Sequence, residues 1–174
     1  STAIKRNGEI VGAVVNFHDI SQRKQAEKKI HTLSQAVEQS PVSVILTDIN
    51  ENIEYVNSAF ERSTGYSAEE VNGKNPGLLK SGNTPKSHYQ ELWKTINSGQ
   101  LWQGELQNRR KNGEVFLEHA SIAPIIDKSG KMTHFLAVKE DITLQKQQED
   151  KIIHQANYDS LTDLPNCFLA QDRL

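Results

Sequence analysis

The stretch "LWQGELQNRRKNGEVFLEH", residues 101–119, decides the fold. In its left arm Trp102, Gly104, Leu106 and Asn108 fall on one face, and Gln103, Glu105, Gln107 and Arg109 on the other. That two-residue period belongs to a strand with one covered side. Asn112-Gly113 at the centre supplies the left-handed backbone of a tight turn, which predicts an antiparallel hairpin between "LWQGELQNRR" and "EVFLEHASIAP". After the Ser129-Gly130 turn, "KMTHFLAVKED" reads as a third strand.

Upstream, "SVILTDI" and "IEYVN" are short β-rich runs joined through "NEN", a second hairpin by turn composition. Between the two strand groups lie helical segments. Asn57 is placed to cap the first, Ser67 and Glu70 form a capping-box pattern for the second, and Gly65 and Gly73 stand where they would end. In "TPKSHYQELWKTINSG" Thr84 reads as N-cap and Pro85 as the first helical residue; Tyr89, Leu92, Trp93 and Ile96 share one face, packing inward through Trp93. The order ββ, helices, βββ predicts an α+β domain over residues 41–143. Its antiparallel sheet has five strands, with helices on one face and a cup between sheet and helices that can hold a ligand.

A self-match sets the domain limits. "HDISQRKQAEKKI" at 18–30 returns as "EDITLQKQQEDKI" at 140–152, pairing Gly8 with Gly130, Asp19 with Asp141, Lys24 with Lys146 and Glu27 with Glu149. A repeat this long suits tandem domains, since solenoid repeats run to roughly 20–50 residues. Residues 1–20 therefore read as the last hairpin of a preceding copy, 21–40 as a connector helix, and 144–157 as a second connector. In each repeat an Asp and a Ser or Thr stand where strand becomes helix, placed to accept hydrogen bonds from free N–H groups at that turn. Ala26, Ile30, Leu33 and Val37 in the first connector are spaced as a heptad seam, the basis for expecting a parallel homodimer through the connector helices.

With 36% hydrophobic and 24% charged residues and a formal net charge of −2, the chain carries no basic excess of the kind that draws proteins to nucleic acid. No apolar run approaches the roughly 20 residues of a membrane span, so no direct membrane contact and a cytoplasmic location are expected. The single cysteine, Cys167, cannot form an internal disulfide and has no base or metal partner in its local sequence. No nucleophile–base pair, phosphate loop or carboxylate dyad is evident, so no catalytic function is expected of these residues.

Taken together, "YVNSAFERSTGYSAEEVNGKN", "WQGELQNRRKNGEVF" and the closing "EDIT" resemble a PAS sensor domain over residues 32–143, and residues 1–31 resemble the end of another with its outgoing signalling helix. The segment "ANYDSLTDLPNCFLAQDRL" resembles the opening helix of GGDEF domains, which make cyclic di-GMP. Residues 158–174 would then begin such a domain, and the parent protein would be a diguanylate cyclase that could also carry a phosphodiesterase domain. Cys167 departs from the arginine usual there.

The candidate ligand site follows from both readings. Asn108 points to the apolar side of its strand, and a buried amide without partners costs about 1–3 kcal/mol, so it must meet backbone, side chain, water or ligand. The chain is similar to the flavin-binding PAS domain of nitrogen-fixation redox regulators, in which an Asn and a Trp at the positions of Asn108 and Trp93 line the isoalloxazine site. That resemblance implies FAD, with Trp93, Asn108, Asn75, Ile45, Trp102 and Leu106 as candidate cofactor-binding residues and no metal. Ile45 and Pro76 stand where those flavin proteins carry a hydroxyl and a carboxylate. "GKNPGLLK" also resembles the blue-light LOV motif, with Pro76 in place of the reactive cysteine and Lys80 in place of glutamine. His88 is the nearest axial ligand for haem, although a lone helical histidine is expected at the surface. "RRK" at 109–111 is expected as a solvated edge. A cofactor-free dimerisation and relay module is the alternative to a flavin sensor.

Overall fold

The structure, a computed structural model, describes residues 2–6, 9–14 and 21–157, the first two segments as backbone. Gly8, Asp19, Ile20 and the GGDEF-like segment with Cys167 lie outside the described residues. Two compact units divide between residues 36 and 37. In the first, β1 (Thr2–Arg6) and β2 (Glu9–Val14) pair as an antiparallel hairpin, and α1 (Ser21–Glu38) begins. Ile30 and Leu33 of the heptad seam are 67% and 58% exposed.

The second unit contains β3 (Ser43–Asp48), β4 (Ile53–Val56), α2 (Ser58–Thr64), α3 (Ala68–Val71) and a 3-10 turn (Pro76–Leu79). They are followed by α4 (Lys86–Asn97), β5 (Trp102–Arg109), β6 (Val115–Ile126), β7 (Met132–Asp141) and α5 (Thr143–Asn157). The sheet order is β4-β3-β7-β6-β5, all antiparallel. Because β7 pairs with β3, the two strand groups join in the middle and leave β4 and β5 as edges. The chain from β4 to β5 must then cross the full width of the sheet, about 19 Å at the usual strand spacing. It does so as α2, α3, the 3-10 turn and α4, and this crossing makes the cup.

Local signals act largely as the residues dictate. Asn57 caps α2, its Oδ1 accepting from the Phe60 N–H at 3.1 Å, and Gly65 closes that helix at φ +78°. Ser67 and Glu70 form the reciprocal capping box of α3. Thr84 does not cap α4: Pro85 takes the N-cap position without a side-chain bond, and the Thr84 Oγ1 instead accepts from the Gln107 N–H of β5 at 2.9 Å. On α4 the buried residues are Leu92 and Ile96; Trp93 is half-buried, its ring edge-on to Phe135 at 6.0 Å.

Two apolar clusters flank the cup. Ile45, Ile53, Val56, Phe60, Val71, Leu79 and Ala137 form one, and Leu92, Ile96, Trp102, Leu106, Ala120 and Phe135 the other. Ile122 packs against both.

A cavity with a charged end between sheet and helix

Between these clusters lies a cavity of about 100 Å³. Its floor is the sheet, through Ile45, Leu106, Ile122, Phe135 and Ala137, and its roof is α4, through Tyr89, Leu92, Trp93 and Ile96. Glu51, Asn75, Pro76, Gly77 and Lys80 form the rim. At one end the floor becomes polar, with Asn108 from β5 and Lys139 from β7.

Strand phase creates that end. Asn108 shares a face with Leu106, Glu118 with Phe116 and Ala120, and Lys139 with Phe135 and Ala137, each as one buried row. Register sets the rows diagonally: Leu106 stands opposite Glu118, Ala120 opposite Lys139, and Lys139 opposite Ser43. Asn108 donates from Nδ2 to Glu118 Oε2 at 2.5 Å, and Lys139 donates from Nζ to the same oxygen at 3.1 Å. Glu118 is 1% exposed and Lys139 6%. Charges this deeply buried persist only when paired and hydrogen-bonded, as these are. Glu118 and Lys139 were hidden in the sequence because charge reads as solvent-facing, although their phase with Phe116 and Phe135 was the available signal.

Of the six residues singled out from sequence, Trp93, Asn108, Asn75, Ile45 and Leu106 border the cavity. Trp102 is not among the lining residues. Four positions from Leu106, it sits about 13 Å away along the strand. Its indole folds over Gly104, where a Cβ would lie 2.5 Å from Cζ2, and meets His88 edge-on at 5.5 Å. His88 is half-buried and not at the surface, and it too is absent from the lining. Asn75 is committed at the rim, with Oδ1 accepting from the Gly77 N–H at 2.7 Å and Nδ2 donating to Glu51 at 2.8 Å. Glu51 occupies the left-handed region at φ 67°.

The helix junctions are tied to the same sheet. At the exit, Asp141 accepts from the Thr143 N–H at 3.0 Å, Thr143 Oγ1 accepts from the Leu117 N–H at 2.9 Å, and Ile142 is buried. Arg110 pairs with Asp141 at 2.5 Å, donates to the Ser63 carbonyl and lies 4.1 Å over the Phe116 ring. Of the "RRK" run only Arg110 departs from the expected solvated edge: Arg109 and Lys111 are exposed, Arg109 donating to the Gly113 and Ser81 carbonyls and Lys111 pairing with Glu70. Burial works to raise the Asp141 carboxyl, but the bonds from Arg110 and Thr143 outweigh it and hold it below its ordinary value.

At the entry, Asn57 is 1% exposed and makes bonds in four directions. It accepts from Val44 and Phe60 N–H groups and donates to Val37 and Val42 carbonyls. Glu38, ending α1, accepts from the Tyr55 hydroxyl at 2.7 Å and from the Ser58 N–H at 3.0 Å. Desolvation, then the bond to Glu38, pushes the Tyr55 hydroxyl up to about 12.

Among the described residues no group of His, Cys, Asp and Glu is placed to hold a metal ion, and no helix is long and apolar enough to cross a membrane.

A family model described as PAS domain matches residues 41–144. The nitrogen fixation regulatory protein of Klebsiella oxytoca is 40% identical over 116 residues, which are 67% of this chain and 23% of that protein. The chain thus spans about a quarter of the length of this curated relative. Among solved structures, the LOV domain of the Erythrobacter litoralis EL346 blue-light activated histidine kinase superposes with a TM-score of 0.56 at 30% identity, covering 60% of this chain and 99% of that one. An RNA-binding light-oxygen-voltage receptor gives a TM-score of 0.68 at 23% identity over 82% of this chain and 41% of its own, a likeness of fold.

Proposed function

This chain belongs to the PAS domain family, and on that premise we propose that it is a flavin-binding sensory module, with FAD as the cofactor, that passes the state of its cavity to the exit helix α5. The observation that carries this reading is the cavity itself: apolar faces on both sides, and hydrogen-bonding groups at one end. An isoalloxazine ring presents the same pattern, an apolar body ending in carbonyl and N–H groups, and the donor set fits it. Trp93, Leu92, Ile45 and Leu106 would hold the ring faces, and Asn108 and Lys139 its polar edge. When bound, the flavin would supply redox chemistry. The present volume is below the roughly 300–1,000 Å³ usual for ligand pockets, so loading has to lift α4 and the rim from the sheet. Pro76 occupies the rim position of the LOV thiol, so no cysteinyl adduct can form from that position.

The protein's own part in signalling runs along β7. Lys139 touches the cavity, and Asp141, Ile142 and Thr143 follow within four positions, bonded to Arg110 and Leu117. Any shift of Lys139 therefore reaches the first turn of α5 through covalent backbone. We read α1 and α5 as connector helices of a cytoplasmic homodimer, and α5 as the lead into a GGDEF-type output domain in the parent protein.

A second reading, a cofactor-free relay, draws on the same polar end: Glu118 already satisfies one amide hydrogen of Asn108, so a ligand is not required to pair it. Trp93 separates the two. FAD titrated into the protein should quench tryptophan emission saturably through Trp93 at the cavity wall, and Trp93→Phe should remove most of that response. Unsaturable quenching, unchanged in Trp93→Phe, would favour the relay.

A further inference from the structure

The turn between β3 and β4 holds a backbone conformation that its sequence does not call for. In "DINENI", residues 48–53, Asn50 and Asn52 are of the type that tolerates the left-handed region, yet Glu51 between them adopts it, at φ 67°. The turn closes without the Glu51 side chain, because the Asp48 carboxylate accepts from the Asn50 and Asn52 N–H groups at 2.8 Å each. Strain that the turn itself does not explain points to what the side chain does. The Glu51 carboxylate reaches across 24 positions and accepts from Asn75 Nδ2 at 2.8 Å.

Both residues stand on the cavity rim, where the chain runs between two fixed points. On one side the Gly73 N–H bonds the Ile53 carbonyl of β4 at 2.8 Å, and the Lys74 carbonyl accepts from the Ile53 N–H at 2.9 Å. On the other, Leu79 is buried, Lys80 bridges to Asn108, and its ammonium lies 4.4 Å over the Tyr89 ring. Residues 75–78 span these anchors beside the cavity. Asn75 begins the span, its Oδ1 accepting from the Gly77 N–H at 2.7 Å, so close that a Cβ on Gly77 would lie 2.8 Å from that oxygen.

We propose that Glu51 and Asn75 form a latch that keeps the 75–78 strap closed over the cavity mouth, and that ligands enter and leave when this bond opens. The left-handed strain of Glu51 opposes the bond, which leaves closure weak enough to reverse. This inference rests on the cavity being a ligand site, but not on which ligand it takes. A latch changes entry and exit rates by one factor, whereas a binding contact acts mainly on exit.

A thiol on the cavity floor, Ala137→Cys in a Cys167→Ser background, reads the opening without any ligand through its rate of labelling by an aromatic disulfide reagent. Asn75→Asp keeps the oxygen that receives the Gly77 N–H and sets a second carboxylate against Glu51. Labelling should accelerate about fivefold or more and stay independent of low urea, the mark of local opening. Glu51→Gln/Asn75→Asp rebuilds the bond with donor and acceptor exchanged and should return the rate to within about twofold of the parent. Glu51→Gly removes carboxylate and strain together, so labelling should accelerate while the urea midpoint holds or rises. Riboflavin, uncharged and so indifferent to the added carboxylate, should bind and leave Asn75→Asp faster by the same factor, followed by tryptophan quenching.

Labelling unchanged in Asn75→Asp and Glu51→Gly, or accelerated in Asn75→Asp and not restored by the exchanged pair, would overturn the latch whether or not flavin binds. Accelerated and restored labelling in a protein that takes up no flavin would support the latch and count against the flavin reading. Faster riboflavin exit without faster entry would overturn the latch and leave the flavin reading intact.

Discussion

Replacing Arg110 with methionine tests how firmly the exit helix is held. The arginine side chain is 18% exposed, and its guanidinium bonds Asp141 at 2.5 Å and the Ser63 carbonyl while covering Phe116 at 4.1 Å. Methionine keeps much of the stem's packing and deletes the charge. A hydrogen bond between charged groups contributes about 1.5–3 kcal/mol, and the partial exposure of Asp141 places this one at the low end. The bond to Ser63 adds about 1 kcal/mol and the ring contact roughly 0.5–1. Since the terms share one side chain, their sum is an upper bound, and a loss of about 2–3 kcal/mol is expected. Urea denaturation should show it as a lower midpoint at unchanged slope, and amide exchange in the first turn of α5 should accelerate. The loss should also depend on pH. Asp141 is held below its usual 3.8, so its contribution is present above that value and disappears as pH falls through the lower folded value. The gap between the two proteins should therefore narrow below about pH 4. A gap under about 0.5 kcal/mol at neutral pH, with α5 exchange unaltered, would refute the hold of Arg110 on α5.

Asn57→Ala removes a buried amide with four partners and should cost about 2–4 kcal/mol in the same denaturation experiment. Leu33→Glu should dissociate the homodimer proposed through the α1 seam, since two leucines per interface would bury about 3 kcal/mol or more, roughly a hundredfold in Kd by light scattering. A dimer population left unchanged in protein still folded by circular dichroism would exclude the α1 seam. Asn108→Leu leaves Glu118 paired with Lys139 but deletes a bond to a buried carboxylate, so the protein should still fold, with a melting temperature lowered by several degrees, while retained flavin falls.

The strand and helix plan was legible because it rests on period and punctuation: the alternation from Trp102 to Arg109, the Asn112-Gly113 turn, and caps at Asn57 and Ser67. Trp93, Leu106 and Asn108 reach the cavity for the same reason, since phase places a side chain on a face, whereas Asn75, ahead of the 3-10 turn, and Ile45 were named from the resemblance alone. Phase does not give position along the strand, and Trp102 therefore misses the site. Sequence also priced charge by type. Glu118 and Lys139 are buried because they meet each other across two strands, and Arg110 because it can lie over Phe116 and reach Ser63 and Asp141. Those pairings depend on register, which no single strand encodes.

The absorption spectrum of the protein after incubation with excess FAD and desalting tests the central claim most directly. The flavin reading predicts that the visible bands of oxidised flavin elute with the protein in near-equimolar amount and are diminished in Asn108→Leu. A protein fraction without those bands, from chain that is folded and carries intact Trp93 and Asn108, would contradict it.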